Sequence, residues 1–234
     1  MKTRQLFMML ICLMSTMAAC KKNCDESNFV EGINNPYFPL VPGDTYHYIN
    51  TITDGKNVTT QDIDVIVTRD TKVILGVTCE VIHDVVKEAG TVTEDTYDWY
   101  AQDKHGNVWY FGESTKKLEN GVWITEGSWQ AGVEGARQGI IMHANPGAHI
   151  GKAYYEEFWA GHAEDQAEVL NTNSTAKVPY GTFSNCVQTK NFTNLNPGDV
   201  GNKYYAAGVG QVFGIGSMPG GARERDELIS ITHN

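Results

Sequence analysis

From Thr45 onward the chain alternates. Tyr46, Tyr48 and Ile52 interleave with Thr45, His47 and Thr51, and in "QDIDVIVTRD" Ile63, Val65 and Val67 interleave with Asp62, Asp64 and Ile66. A period of two is that of a strand with one face buried. "KVILGVTCEVIHDVV" continues with β-branched residues, which suit a pleated surface. Turn formers punctuate these runs: Pro42-Gly43-Asp44, the Asp103–Asn107 stretch "DKHGN", and Asn120-Gly121. Each predicts a reversal, and the latter two predict hairpins. After about residue 180, "PYGTFSNCVQTKNF", "NKYYAAGVGQVFGIG" and "DELISITHN" return to strand-like runs set between Gly and Pro.

Helix signals are few. "EEFWAGHAEDQAEVLNT" from Glu156 offers Ala163, Ala167 and Leu170 as an apolar stripe, but Gly161 interrupts it, and Ala163 to Val169 also reads as an acidic strand. The expected fold class is mainly β: a single antiparallel β-rich domain, either sandwich, clam or open barrel, with at most one or two short helices. In "NVWYFGE" both faces are apolar, with Trp109 and Phe111 opposite Val108 and Tyr110. Such a strand needs either a covering layer or a cavity wall.

The first residues follow another rule. Lys2 and Arg4 precede an apolar run from Leu6 to Ala19, which gives way to "CKKNCDESN". This basic, apolar, small-residue order is that of a secretory signal, and the run is shorter than a bilayer-spanning helix needs. "MAAC", Met17 to Cys20, resembles the lipobox of bacterial lipoproteins, in which the cysteine is acylated and the signal is cut before it. Met17 stands where Leu is usual. The resemblance implies lipidation at Cys20, attachment to the lipid bilayer and, with Lys21 and not Asp following, the outer membrane. An ordinary signal peptide cleaved at the same small residues, leaving Cys20 a thiol, fits the same segment. The expected organisation is a signal over 1–19, a polar lipid-anchored tether over 20–35 and the β-rich domain over 36–234.

Loss of Lys2 and Arg4 with the signal takes the formal charge from −10 to −12. That balance argues against nucleic acid as a partner, since phosphate is met by clustered Lys and Arg. Hydrophobic residues make up 41% of the chain, enough for a packed core. Of the five cysteines, Cys12 leaves with the signal and Cys20 is assigned to lipid. The expected disulfide joins Cys79 to Cys186, the two in strand-like stretches, with two separately buried thiols as the alternative; Cys24 is left unpaired.

Three stretches, "DTYDWYAQDKHGNVWYFGE", "GSWQAGVEGARQGIIMHANP" and "VPYGTFSNCVQTKNFTNLNPGDVGNKYYAAGVGQV", resemble a family of uncharacterised secreted bacterial proteins. The likeness covers about Thr45 to Val212 and implies one evolved domain. It implies no activity.

Signatures of several chemistries are missing. There is no Gly-x-Ser-x-Gly, phosphate loop, Cys-x-x-Cys or His-Glu-x-x-His, and "DKHGN" lacks most of a calcium loop. Reactive side chains are densest between His143 and Asp165. There His143, His149 and His162, with Glu157 as fourth ligand or general base, form the candidate set for a divalent metal. Their spacing follows no ligand motif, so the expectation is no cofactor. The leading functional expectation is a non-enzymatic binding or carrier module for a small hydrophobic ligand. A metal-dependent hydrolase and a structural envelope protein are the rivals.

Overall fold

A computed structural model describes residues 24–218 and 220–234. The signal segment and Cys20, with its expected lipid, lie outside the described residues.

Three short strands come first: β1 (Phe29–Val30), β2 (Ile33–Asn35) and β3 (Phe38–Leu40). A long meander follows: β4 (Thr45–Asp54), β5 (Asn57–Ile74), β6 (Val77–Glu88), β7 (Thr91–Asp103) and β8 (Val108–Glu119). Next come the short β9 (Val122–Ile124), β10 (Trp129–Gln130), β11 (Arg137–Met142), β12 (Ala153–Tyr155) and β13 (Glu157–Phe158). A second meander completes the chain: β14 (Asp165–Val178), β15 (Gly181–Thr193), β16 (Val200–Ala206), β17 (Gly210–Ser217) and β18 (Arg223–Thr232). The helical pieces are two 3-10 turns, Glu26–Asn28 and Pro146–His149.

β18 pairs with β4, joining the two meanders into one antiparallel sheet. The segment 153–158 then brings the free edges together. Its first half, β12, pairs with β14, and its second half, β13, pairs with β11. This near-closure covers part of both free edges, which otherwise invite aggregation. The seam is tight: a Cβ on Gly139 of β11 would lie 2.3 Å from both the carbonyl carbon and oxygen of Glu156. Only a residue without a side chain lets the seam strand approach this closely.

Local chemistry selects these hairpins. At Asn120-Gly121 both residues take positive φ, 50° and 80°, as do Ala89-Gly90 at 48° and 80°. Two consecutive left-handed residues make the turn whose twist matches that of paired strands. The 103–107 reversal is held by Asp103, which accepts from the backbone N–H of His105 and Asn107, the Asn107 amide and the Trp109 indole, all at 2.8–2.9 Å.

Two cores result. One packs inside the barrel around Val67, Val108, Tyr205, Val212 and Leu228. The other lies outside the wall, where Cys79, Trp99, Phe111 and Trp129 are covered by Phe29 and by the segment around Ala131 and Ala136. Phe29 meets Phe111 and Trp109 edge to face, with centroids 5.4 and 6.4 Å apart. The doubly apolar strand "VWYF" is thus covered on its outer face by the N-terminal segment.

That covering involves the part of the expected tether that the structure describes. Residues 24–35 dock on the body: β1 pairs with β7, Ile33 and Asn35 are buried, and Asn35 donates to the carbonyls of Gly106 and His143. The polar look of "CDESN" conceals Phe29 and Ile33, whose burial repays the ordering of the segment. The helix considered from Glu156 is also absent. β14 begins at Asp165, and Ala167 and Val169 face inward at strand spacing.

The expected disulfide is likewise corrected. Cys79 and Cys186 are both buried free thiols, Cys79 in the outer core and Cys186 in the inner one. They belong to different clusters of buried residues, and a bridge would require them to share one, since bridged cysteines lie in direct contact.

Candidate functional site

Inside the barrel is a cavity of about 820 Å³, within the range of small-molecule sites. Strand register gives it a gradient along the axis. One end is closed by the β2–β3 hairpin. There Phe38 packs edge to face on Tyr100, with centroids 5.3 Å apart, and Tyr46 Oη lies 3.4 Å from the Pro39 carbonyl to which it donates. The Asn34 and Gln102 side chains fix this hairpin to β7. Phe38, Leu40, Tyr46, Val65, Ile82 and Tyr100 make this end apolar.

One residue pair further along the strands the lining turns acidic. Asp84 stands opposite Val65, Asp98 opposite both Ile82 and Glu113, and Asp226 opposite Asn50. Beyond them, toward the turns at Gly55-Lys56, Ala89-Gly90 and Asn120-Gly121, the lining includes Glu88, Glu94, Glu119 and Glu224. In all, eight carboxylates face two lysines, Lys117 and Lys203.

Burial shapes this belt. Withdrawal from water pushes Asp84 up to about 7, helped by the charges of Glu94 and Asp226. Asp98 also rises to about 7 through burial, despite accepting a hydrogen bond from Tyr110 Oη at 2.5 Å. Glu113 reaches about 7 by burial and the charge of Asp98. These shifts put protonation of the belt near neutral pH.

A smaller chamber of about 190 Å³ adjoins the belt through Lys203, Glu224 and Asp226. Burial disfavours the Lys203 charge, but Glu156, Asp165, Asp226 and Glu224 outweigh it and hold the ammonium above its ordinary range. β17 makes room for these acids. A Cβ on Gly214 would sit 2.8 Å from Asp226 Oδ2, and one on Gly216 would sit 2.9 Å from Glu224 Oε1.

The metal set expected between 143 and 165 is not brought together. His143 and His149 stack face to face, with centroids 3.7 Å apart, while His162 stacks on Trp159 at 4.0 Å. Glu157 sits on the seam strand, where burial and the charge of Asp165 push it up to about 8. Burial and the neighbouring His149 push His143 down to about 4. Among the described residues no group of three or more His, Cys, Asp or Glu side chains is placed to hold a metal ion. Ring stacking, and not shared coordination, explains why these histidines are neighbours.

The lumen acids escaped the sequence reading for an identifiable reason. In "VIHDVV", Asp84 lies in phase with Ile82 and Val86, both of which line the cavity. The phase was the available signal: a carboxylate sharing the parity of apolar neighbours on an otherwise alternating strand points inward.

No protein family matches the chain by sequence, and no curated protein does. Solved structures do resemble it. One, from Bacteroides fragilis, is described as an exported protein with a YmcC-like fold. It is 15% identical, with a TM-score of 0.51, and the match covers 85% of this chain and 100% of that one. A protein from Parabacteroides distasonis, described as a lipoprotein, is 12% identical with a TM-score of 0.46, covering 85% of this chain and 99% of that one. A β-barrel-like domain of unknown function from Brucella abortus is 12% identical with a TM-score of 0.39, covering 83% and 98%. The likeness to the Bacteroides fragilis protein is one of fold, an antiparallel sheet rolled into a nearly closed barrel.

Proposed function

We propose that this chain is an exported binding protein whose barrel lumen holds one small amphipathic molecule. The observation that carries the reading is the lumen itself: about 820 Å³, apolar at the end closed by β2–β3 and, toward the turns at the other, carrying eight carboxylates among apolar residues such as Ile52, Val86, Leu118 and Met218. A molecule with an apolar body and a polar head satisfies both ends, whereas a purely apolar one leaves the belt unmet. In the same reading Cys20 carries the lipid that holds the protein to the outer membrane. The described chain begins at Cys24, which packs against the outer core, and Glu26 lies against Gly76 in the β5–β6 turn. Four residues reach at most about 14 Å. The β5–β6 side therefore faces the bilayer, and the polar mouth faces away from it.

Calorimetry on the full-length Cys20→Ala chain, purified without detergent, tests the lumen. Single-tailed amphiphiles bind at one site, and Ile82→Trp, which fills the apolar end, abolishes binding. A chain that takes up no amphiphile of any head group overturns the reading. Intact mass of the wild-type protein from its own envelope tests the anchor: a gain of acyl-chain size is expected, absent in Cys20→Ala.

A further inference from the structure

The belt holds more acceptors than donors: Tyr110 Oη serves Asp98 and Glu113 and the Asn50 side chain serves Asp226, but further oxygens are left over. Asn50 is 7% exposed, and its Oδ1 has no hydrogen-bond partner; Oδ1 of Asp84 and Oδ1 of Asp226 are buried and unpartnered as well. All three residues line the same cavity. Buried polar atoms in folded proteins are nearly always satisfied, so whatever takes the place of water at these three oxygens in one chamber must donate to them. The resident lysines donate to none of these three oxygens: Lys117 lies 3.6 Å from Glu94, and the charge of Lys203 is shared among Glu156, Asp165, Asp226 and Glu224.

The missing group is narrowed by elimination. Above about pH 7, where the belt is ionised, an anionic head would meet eight carboxylates, and a neutral one would leave the charge uncompensated. A bare metal ion needs ligands converging at about 2 to 2.6 Å. Among the described residues no acidic or imidazole group converges in that way. What remains is an organic cation with several N–H donors, large enough to span spread acceptors. A primary ammonium offers three donors and a full charge, and its hydrogen bonds to carboxylates are among the strong ones.

We propose that the lumen selects a primary-amine cation carrying an apolar body, with its ammonium among Asn50, Asp84 and Asp226 and its body toward Leu40, Tyr46 and Ile82. The inference rests on the lumen being the binding site, and names the class of molecule it takes. The neighbouring carboxylates Asp98 and Glu113 add attraction without being orphaned: Tyr110 Oη lies 2.5 Å from Asp98 Oδ1 and 3.2 Å from Glu113 Oε2.

The test is a panel of twelve-carbon chains differing only in head group, titrated into the full-length Cys20→Ala chain at pH 8 and below micelle-forming concentrations. Dodecylamine supplies charge and N–H donors, dodecyltrimethylammonium charge alone, dodecanol neither, and dodecyl sulfate the opposite charge. Dodecylamine is expected to bind at least about ten-fold more tightly than dodecanol or dodecyltrimethylammonium, the scale of one charge-assisted hydrogen bond. Dodecyl sulfate is expected not to bind. Asp84→Asn and Asp226→Asn should each weaken dodecylamine by about ten-fold and leave dodecanol unchanged. Equal affinity for dodecanol and dodecylamine overturns the cation inference while the lumen reading stands, and equal affinity for the two cations overturns the N–H requirement. No binding by any of the four overturns both. The panel on the unmutated lumen decides alone if a variant fails to fold.

Discussion

Replacing Asp84 by Asn should make the protein more stable at pH 8, although it alters a buried residue facing a candidate site. Burial pushes this carboxyl up to about 7 from an unperturbed value of 3.8. The folded state therefore holds more protons than the unfolded state between about pH 4 and pH 7, and stability falls as pH rises through that window. Above it the full penalty of an ionised, poorly hydrated carboxylate is present. Three pH units correspond to an upper bound of about 4 kcal/mol. The lumen admits water and its acids share their titration, so about 1–2 kcal/mol is the realistic share of one residue. For a chain of this size that is a rise in Tm of about 2–8 °C at pH 8.

At pH 5 the unfolded carboxyl is already ionised while the folded one is still protonated, so roughly a third of the penalty is present and the variant's gain in Tm should be about a third of that at pH 8. The assay is thermal unfolding followed by far-ultraviolet circular dichroism from pH 5 to pH 8. Wild type should lose stability across this range, and the variant should lose less. A variant less stable than wild type at pH 8, or with an unchanged slope, would refute the claim that Asp84 is held ionised against its surroundings.

At lower pH another carboxylate reverses the trend. Burial opposes the Asp103 charge, but hydrogen bonds from Asn107, Trp109 and the backbone at His105 outweigh it and hold the group below its ordinary value. Its stabilisation is present above about pH 4 and lost below, so a stability maximum between about pH 4 and pH 5 is expected when the titration is extended down to about pH 3. Asp103→Ala removes the acceptor of four hydrogen bonds at once and should cost about 3 kcal/mol, read as a drop in the urea midpoint. Gly139→Val should open the seam, because the new Cβ cannot coexist with the Glu156 carbonyl; fast amide exchange at Ala153–Tyr155 and Glu157–Phe158, with the β4–β8 meander still protected, is the expected signature. Reductant should leave Tm unchanged, and thiol reagents should reach Cys79 and Cys186 only after unfolding.

Much of the architecture was legible in local patterns. The alternation of "TYHYINT" predicted β4, and inward Tyr46 and Tyr48 lie where a period of two puts them. Asn120-Gly121 and the 103–107 stretch predicted their hairpins because left-handed turns and side-chain-capped reversals depend on a few adjacent residues. The docked N-terminal segment was not legible. Phe29 and Ile33 are isolated apolar residues in a polar stretch, and the partners of this segment, Phe111 for Phe29 and Gln102 for Asn34, lie far along the chain.

The site divided in the same way. Candidate ligands chosen for nearness in sequence, His143, His149 and His162, proved to be stacking rings, since neighbours along a chain that turns this often point in different directions. The acidic belt was present in the sequence only as Asp84, Asp98, Glu113 and Asp226, residues from four separate strands. By itself the sequence determined a β-rich body, its hairpin turns and a leader of secretory type, because each depends on a short window of residues. Which carboxylates share a lumen, which end of it is closed and which thiols are kept apart were decided only by the tertiary structure. Those facts follow from the register of β18 on β4 and from the seam at 153–158, pairings between residues far apart in the chain whose closure turns one parity of every strand inward.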